Sequence, residues 1–169
     1  ALNASDATTP AKVFGSYAFV EGWAHYTEQM VLAAGYGGPG PADRVRSARY
    51  QLAQSSEALL RVARLSCALR LHCFGMTVDE ATRFFVANAH YQQKPARAEA
   101  MRGTIDPGYG FYTLGKLQLL RLRDDWKAQE GTQFTLQRFH DEVLRHGMPP
   151  IRMLREFLLK NPKDWNRTL

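Results

Sequence analysis

Apolar residues recur three and four positions apart over most of this chain, and no segment alternates apolar and polar residues long enough to make a strand. The longest such run, about Ala42 to His72, sets Val45, Ala48, Leu52, Ser55, Leu59, Val62, Ser66, Leu69 and Cys73 on one stripe. A stripe of that kind predicts core packing, with the small Ser55 and Ser66 letting another helix approach closely. Punctuation divides the remainder. Thr9-Pro10 reads as a cap followed by proline in the first turn, opening a helix to about Ala34, which the stretch Gly35 to Pro41 ends. Gly75 stops the long helix, and Thr77 with Glu80 forms a capping-box pattern for Val78 to Ala89. A shorter helix is expected over Pro95 to Met101. Asp106-Pro107 opens another that ends before Gly131, Thr135 caps one that stops at Gly147, and Pro150 begins the last, which ends near Asn161-Pro162. The fold class this predicts is all-α, a multi-helix bundle of about six to seven helices with one long central helix.

Composition bounds the chain without changing that picture. Its 169 residues, 45% of them hydrophobic, suffice for one domain with a substantial core, and no repeat or interdomain linker interrupts them. A single helical domain over residues 1–169 is therefore expected. No run of about 18 apolar residues predicts a membrane span, and Ala1-Leu2-Asn3-Ala4-Ser5 lacks the basic and apolar regions of a signal peptide. Twenty-two basic against 16 acidic residues give a net charge of +6. The arginines are scattered over several helices with no recognition motif or stacking platform, so nucleic-acid binding is not expected. Cys67 and Cys73, about 9 Å apart on one helix, point to different sides and read as unpaired thiols.

Candidate chemistry concentrates in two places. Within Phe19-Val20-Glu21-Gly22-Trp23-Ala24-His25-Tyr26-Thr27-Glu28, helical periodicity brings Glu21, His25 and Glu28 onto one stripe. On spacing alone this is equally an ordinary set of side-chain pairs, because a catalytic zinc needs three protein ligands. The second place is Asp106 to Lys116, where Gly108, Gly110 and Gly115 each weaken a helix by about 1 kcal/mol relative to alanine. Glycines there admit a close backbone approach, while the Tyr109 and Tyr112 hydroxyls can donate to a developing oxyanion or simply wedge a tight helix crossing. Arg102 can grip a substrate carboxylate or brace the turn, and His72 suits a helix C-terminus. His140 and His146 read as structural or surface groups, and His90 as exposed.

The Glu-Gly-Trp-Ala-x-Tyr stretch at Glu21 to Tyr26 resembles the bacterial domain-of-unknown-function family 885. The likeness runs from about Phe14 to about Leu159, through Arg61-Val62-Ala63-Arg64-Leu65, Gly75-Met76-Thr77, Arg102-Gly103-Thr104, Tyr112-Thr113-Leu114-Gly115-Lys116, Phe139-His140-Asp141-Glu142 and Gly147-Met148-Pro149-Pro150. The resemblance implies a helical zinc metallopeptidase of the gluzincin kind, in which Glu21 matches the third zinc ligand. It also implies that Tyr109 and Tyr112 line the cleft, and that Arg102 and His72 stand beside the substrate.

One departure decides the expectation. None of the five histidines, His25, His72, His90, His140 and His146, belongs to an HExxH, so two zinc ligands and the general base are missing. Ala68 also stands where the family pattern carries an aspartate four residues before His72. The chain reads as the C-terminal part of a larger peptidase, inactive alone, with zinc and a peptide substrate belonging to the complete protein and an exposed apolar surface prone to self-association. The compartment stays open, since the family resemblance allows export. The other reading is a non-catalytic helical module that binds another protein.

Overall fold

The computed structural model describes residue 9, residues 14–38 and residues 41–169, the side chains of residues 41 and 42 apart. It is about 80% helical, and no strand occurs among the described residues. From residue 14 on, the described residues form seven α-helices in order: α1 (Tyr17–Ala33), α2 (Pro41–Cys73), α3 (Val78–Ala89), α4 (Gln93–Ile105), α5 (Phe111–Glu130), α6 (Leu136–Arg145) and α7 (Ile151–Leu158). The single helix expected from Thr9-Pro10 to about Ala34 is corrected: residues 14–16 are not helical and α1 begins only at Tyr17, where Phe19 N–H donates to Ser16 Oγ at 3.3 Å, while Pro10 lies outside the described residues. Local chemistry sets the remaining boundaries. Thr77 caps α3 in a complete capping box with Glu80, Thr135 accepts from Arg138 N–H at the start of α6, and Asp106 caps a 3-10 turn, Pro107–Gly110, that leads into α5. No described helix is long and apolar enough to cross a membrane.

The chain forms two compact units, one of residues 1–26 with 114–169 and the other of residues 27–113. In the first, Phe19, Leu119, Leu122, Trp126, Phe139, Val143, Ile151 and Leu154 build the core. There α1 and α5 touch backbone to backbone, because a Cβ on Gly22 would stand 2.4 Å from the Gly115 carbonyl carbon and one on Gly115 would stand 1.9 Å from the Ala18 oxygen. Only glycine at both positions permits that crossing. Arg155 is wholly buried in this unit, donating to the Asp125 carboxylate and to the Asp164 carbonyl. Burial opposes ionisation of Asp125, but the Arg155 hydrogen bond and charge outweigh it and hold the carboxyl below its ordinary range.

In the second unit, α3 and α4 pack their alanine-rich faces on the C-terminal half of α2, around Leu60, Ala63, Cys67, Ala81, Phe85, Ala89, Ala96 and Ala100. This corrects the sequence reading of α2. The long stripe does not pack into the core: Val45, Leu52 and Leu69 are 58%, 70% and 52% exposed, and Leu59 and Val62 are exposed as well. The buried stripe, Leu60, Ala63 and Cys67, lies about 100° further round the same helix. Small residues on α3 and α4 choose that face because alanines let the three backbones close up. Cys67 is buried and Cys73 exposed, both unpaired, and burial pushes the Cys67 thiol up to about 11.

Candidate functional site

The second unit gathers its charged and phenolic groups where α2, α4 and the 3-10 turn meet. Arg64 on α2 and Glu99 on α4 form a bidentate pair, Nε to Oε2 at 2.8 Å and Nη2 to Oε1 at 2.7 Å. The Asp106 carboxylate, accepting from Gly108 N–H at 2.9 Å, folds the turn that delivers Tyr109 into the same place. Tyr109 is wholly buried, and its hydroxyl donates to Glu99 Oε2 at 3.2 Å. The guanidiniums of Arg64 and Arg102 stand 5.0 and 5.1 Å from its ring centroid. Burial disfavours the Glu99 anion, yet the hydrogen bond and charge of Arg64 prevail and keep its carboxyl below the ordinary range. Burial first, and the Glu99 charge second, push the Tyr109 phenol well above its ordinary value.

Tyr112, at the start of α5, is half-buried, with the Arg61 guanidinium 6.0 Å from its ring centroid. Arg61 donates from Nη2 to Glu28 Oε1 at 2.8 Å, and its Nη1 lies 3.6 Å from Glu57 Oε2. Its Nε and Nη1 are buried and have no hydrogen-bond partner among the described residues. A guanidinium carries five donors, so this one retains the capacity to receive an anionic or carbonyl oxygen. His72 is exposed and donates from Nε2 to the Gly103 carbonyl at 2.8 Å, tying the end of α2 to α4. Gly103 is buried at that crossing, where a Cβ would meet Leu71 Cδ1 at 3.1 Å.

Glu21 belongs to the first unit, half-buried on α1, and no hydrogen bond or ion pair holds its carboxylate among the described residues. The glycine contact at Gly22 fixes the backbone beside it. One turn on, His25 is buried, and the Tyr26 hydroxyl lies 2.9 Å from His140 Nε2. Trp23 packs edge-on to the His140 ring. Burial, opposed by the Asp141 charge and reinforced by that of Arg123, lowers the His140 pKa. The carboxylate of Glu28 serves Arg61 in the second unit. No three His, Cys, Asp or Glu side chains among the described residues form a group able to hold a metal.

Sequence reasoning passed over Arg61, Arg64 and Glu99. The i, i+3 arginines of Arg61-Val62-Ala63-Arg64 were a visible signal, since they share a helix face. Glu99, 35 residues from Arg64, left none.

No curated protein matches the sequence. Two solved structures do. The first, "a putative lipoprotein of unknown function from Shewanella oneidensis", shares 27% identity and a TM-score of 0.79 over 94% of this chain and 28% of its own. The second, "the putative lipoprotein from Colwellia psychrerythraea", shares 28% identity and a TM-score of 0.77 over 93% of this chain and 26% of its own. The chain thus spans little more than a quarter of the length of these solved relatives. A family model described as "Bacterial protein of unknown function (DUF885)" matches residues 2–158. On that match over nearly its whole length, the chain belongs to this bacterial family of unknown function.

Proposed function

We propose that this chain is the C-terminal helical portion of a zinc-dependent peptidase, contributing one metal ligand and part of the cleft, and inactive without the rest. The observation that carries the reading is Glu21, a half-buried carboxylate without hydrogen bond or ion pair among the described residues, beside a helix crossing that tolerates no side chain. A buried or half-buried carboxylate is ordinarily paired, and one that is not is suited to a cation supplied from elsewhere. No group of three His, Cys, Asp or Glu side chains stands together among the described residues, and in this reading the other ligands come from outside the chain. In this reading Glu21 supplies one ligand of the set.

The second unit supports a division of labour between the two tyrosines. Tyr109 is sealed from solvent with its hydroxyl committed to Glu99, which makes it a brace. Tyr112 is the one that solvent reaches, beside the unspent donors of Arg61. In this reading the Tyr112 hydroxyl donates to the oxygen that gains charge as a peptide carbonyl is attacked, and Arg61 and Arg102 receive a substrate carboxylate. His72 braces the wall rather than touching substrate. The lipoprotein description of both solved relatives favours an exported protein.

The test is peptide hydrolysis by protein expressed from its complete reading frame. Tyr112→Phe is expected to lower kcat by about 10²-fold with KM nearly kept, whereas Tyr109→Phe lowers stability instead. Equal loss of kcat in both variants would refute the division, undiminished hydrolysis by Glu21→Ala would refute Glu21 as a metal ligand, and no hydrolysis by the complete protein would refute the peptidase reading.

A further inference from the structure

Helix α2 carries an apolar seam that nothing in the described structure covers. Val45, Leu52, Leu59 and Ser66 recur every seven residues, with Ala48, Ser55, Val62 and Leu69 interleaved, which is the a and d pattern of a coiled coil. The large members of this seam are all exposed, and the first half of α2 buries no described side chain. At its C-terminal end the seam opens into a cavity of about 770 Å³ lined by Ser66, Leu69, Phe74, Met76, Arg83 and Phe84. Phe74 at its mouth is 77% exposed. Glu80, also in the wall, is held by the Thr77 cap.

The positions that flank such a seam choose its partner. They are Arg49, Ser56, Ala63 and Arg70 on one side, and Arg44, Gln51, Ala58, Leu65 and His72 on the other, so no carboxylate occupies either flank. A second copy would set cation against cation. A bilayer would gain little from a seam interrupted by Ala48, Ser55 and Ser66, although small residues accept knobs from a facing helix.

We infer that the α2 seam docks an amphipathic helix whose own apolar seam is flanked by Glu or Asp and whose terminal large side chain enters the cavity between α2 and α3. Its source is the part of the polypeptide that the solved relatives carry outside the match, which accounts for nearly three quarters of their length. The inference needs no catalytic activity.

The 169-residue chain is titrated by fluorescence anisotropy with two synthetic helices of about four heptads that share a leucine seam, one flanked by Glu and one by Lys. The Glu helix is expected to bind at least about tenfold tighter. Leu52→Glu with Val62→Glu, both at exposed positions, should abolish binding while the circular dichroism stays unchanged, and Arg49→Glu with Arg70→Glu should invert the preference. Equal affinity for both helices, no binding, a dimer broken by Leu52→Glu, or seam-dependent binding to anionic phospholipid vesicles would each overturn the inference. The source is tested by maleimide labelling of Leu52→Cys in a Cys73→Ser background. Labelling should slow at least about tenfold when the protein is expressed from its complete reading frame, and an unchanged rate would overturn that assignment.

Discussion

Replacing Gly115 by alanine sets two effects of opposite sign against each other. Removing a glycine from the interior of α5 raises helix propensity by about 1 kcal/mol. The new Cβ, however, would lie 1.9 Å from the Ala18 oxygen and 2.9 Å from both the Ala18 carbonyl carbon and Gly22 Cα, where ordinary contact begins at 3.4 Å. A Cβ has no rotamer by which to escape, and the obstructing atoms are backbone, so α1 and α5 must part by about 1.5 Å at their crossing. Overpacking of well-packed interiors costs about 1–3 kcal/mol even when side chains can yield, and here they cannot. The net expectation is a destabilisation of about 2 kcal/mol or more. Urea unfolding followed by circular dichroism measures it directly: with a slope near 2 kcal/mol per molar, the midpoint should fall by about 1 M. Gly22→Ala should fall comparably, and the double variant by less than the sum, because one separation relieves both clashes. A Gly115→Ala protein as stable as the parent, or more so, would show that propensity wins and that the helices do not touch at these glycines.

Three further outcomes test the surrounding chemistry. Glu99→Gln leaves the largely buried Arg64 without its counter-charge and should cost about 2–4 kcal/mol by chemical denaturation. Because the folded-state pKa of Glu99 is lowered, its stabilisation is complete above the ordinary carboxylate value of about 4.3 and is lost as pH falls through the lower folded value, so the variant's deficit should shrink in acid. The pKa of His140 is likewise lowered, so its contribution is complete above about 6.5 and declines as pH falls through the folded value; His140→Phe should flatten that part of the stability profile in thermal scans. In thiol titration at pH 8, Cys73 should react at once and Cys67 only after unfolding, since its thiol is buried and pushed up to about 11.

Much of the helical plan was legible because its signals are local. The Thr77 and Glu80 box placed α3 at the observed residues, and Asp106-Pro107, Thr135 and Pro150 each marked a start that the structure keeps. The burial of α2 was misread because periodicity shows that a stripe exists, not what lies against it. Two apolar stripes share that helix, and the alanines of α3 and α4 decide which is covered. At the candidate site, the glycines of Asp106 to Lys116 announced a close approach, and Gly115 indeed meets Gly22. Which partner each tyrosine takes depended on Glu99 and Arg61, whose positions arise only from tertiary packing.

The central claim, that Glu21 is a metal ligand whose companions lie outside these residues, is met most directly by elemental analysis. Zinc content is determined by mass spectrometry for protein expressed from its complete reading frame and for its Glu21→Ala variant, after identical dialysis. Close to one zinc per chain is expected in the former and a small fraction of that in the latter; equal zinc in both, or none in either, would contradict a ligand role for Glu21.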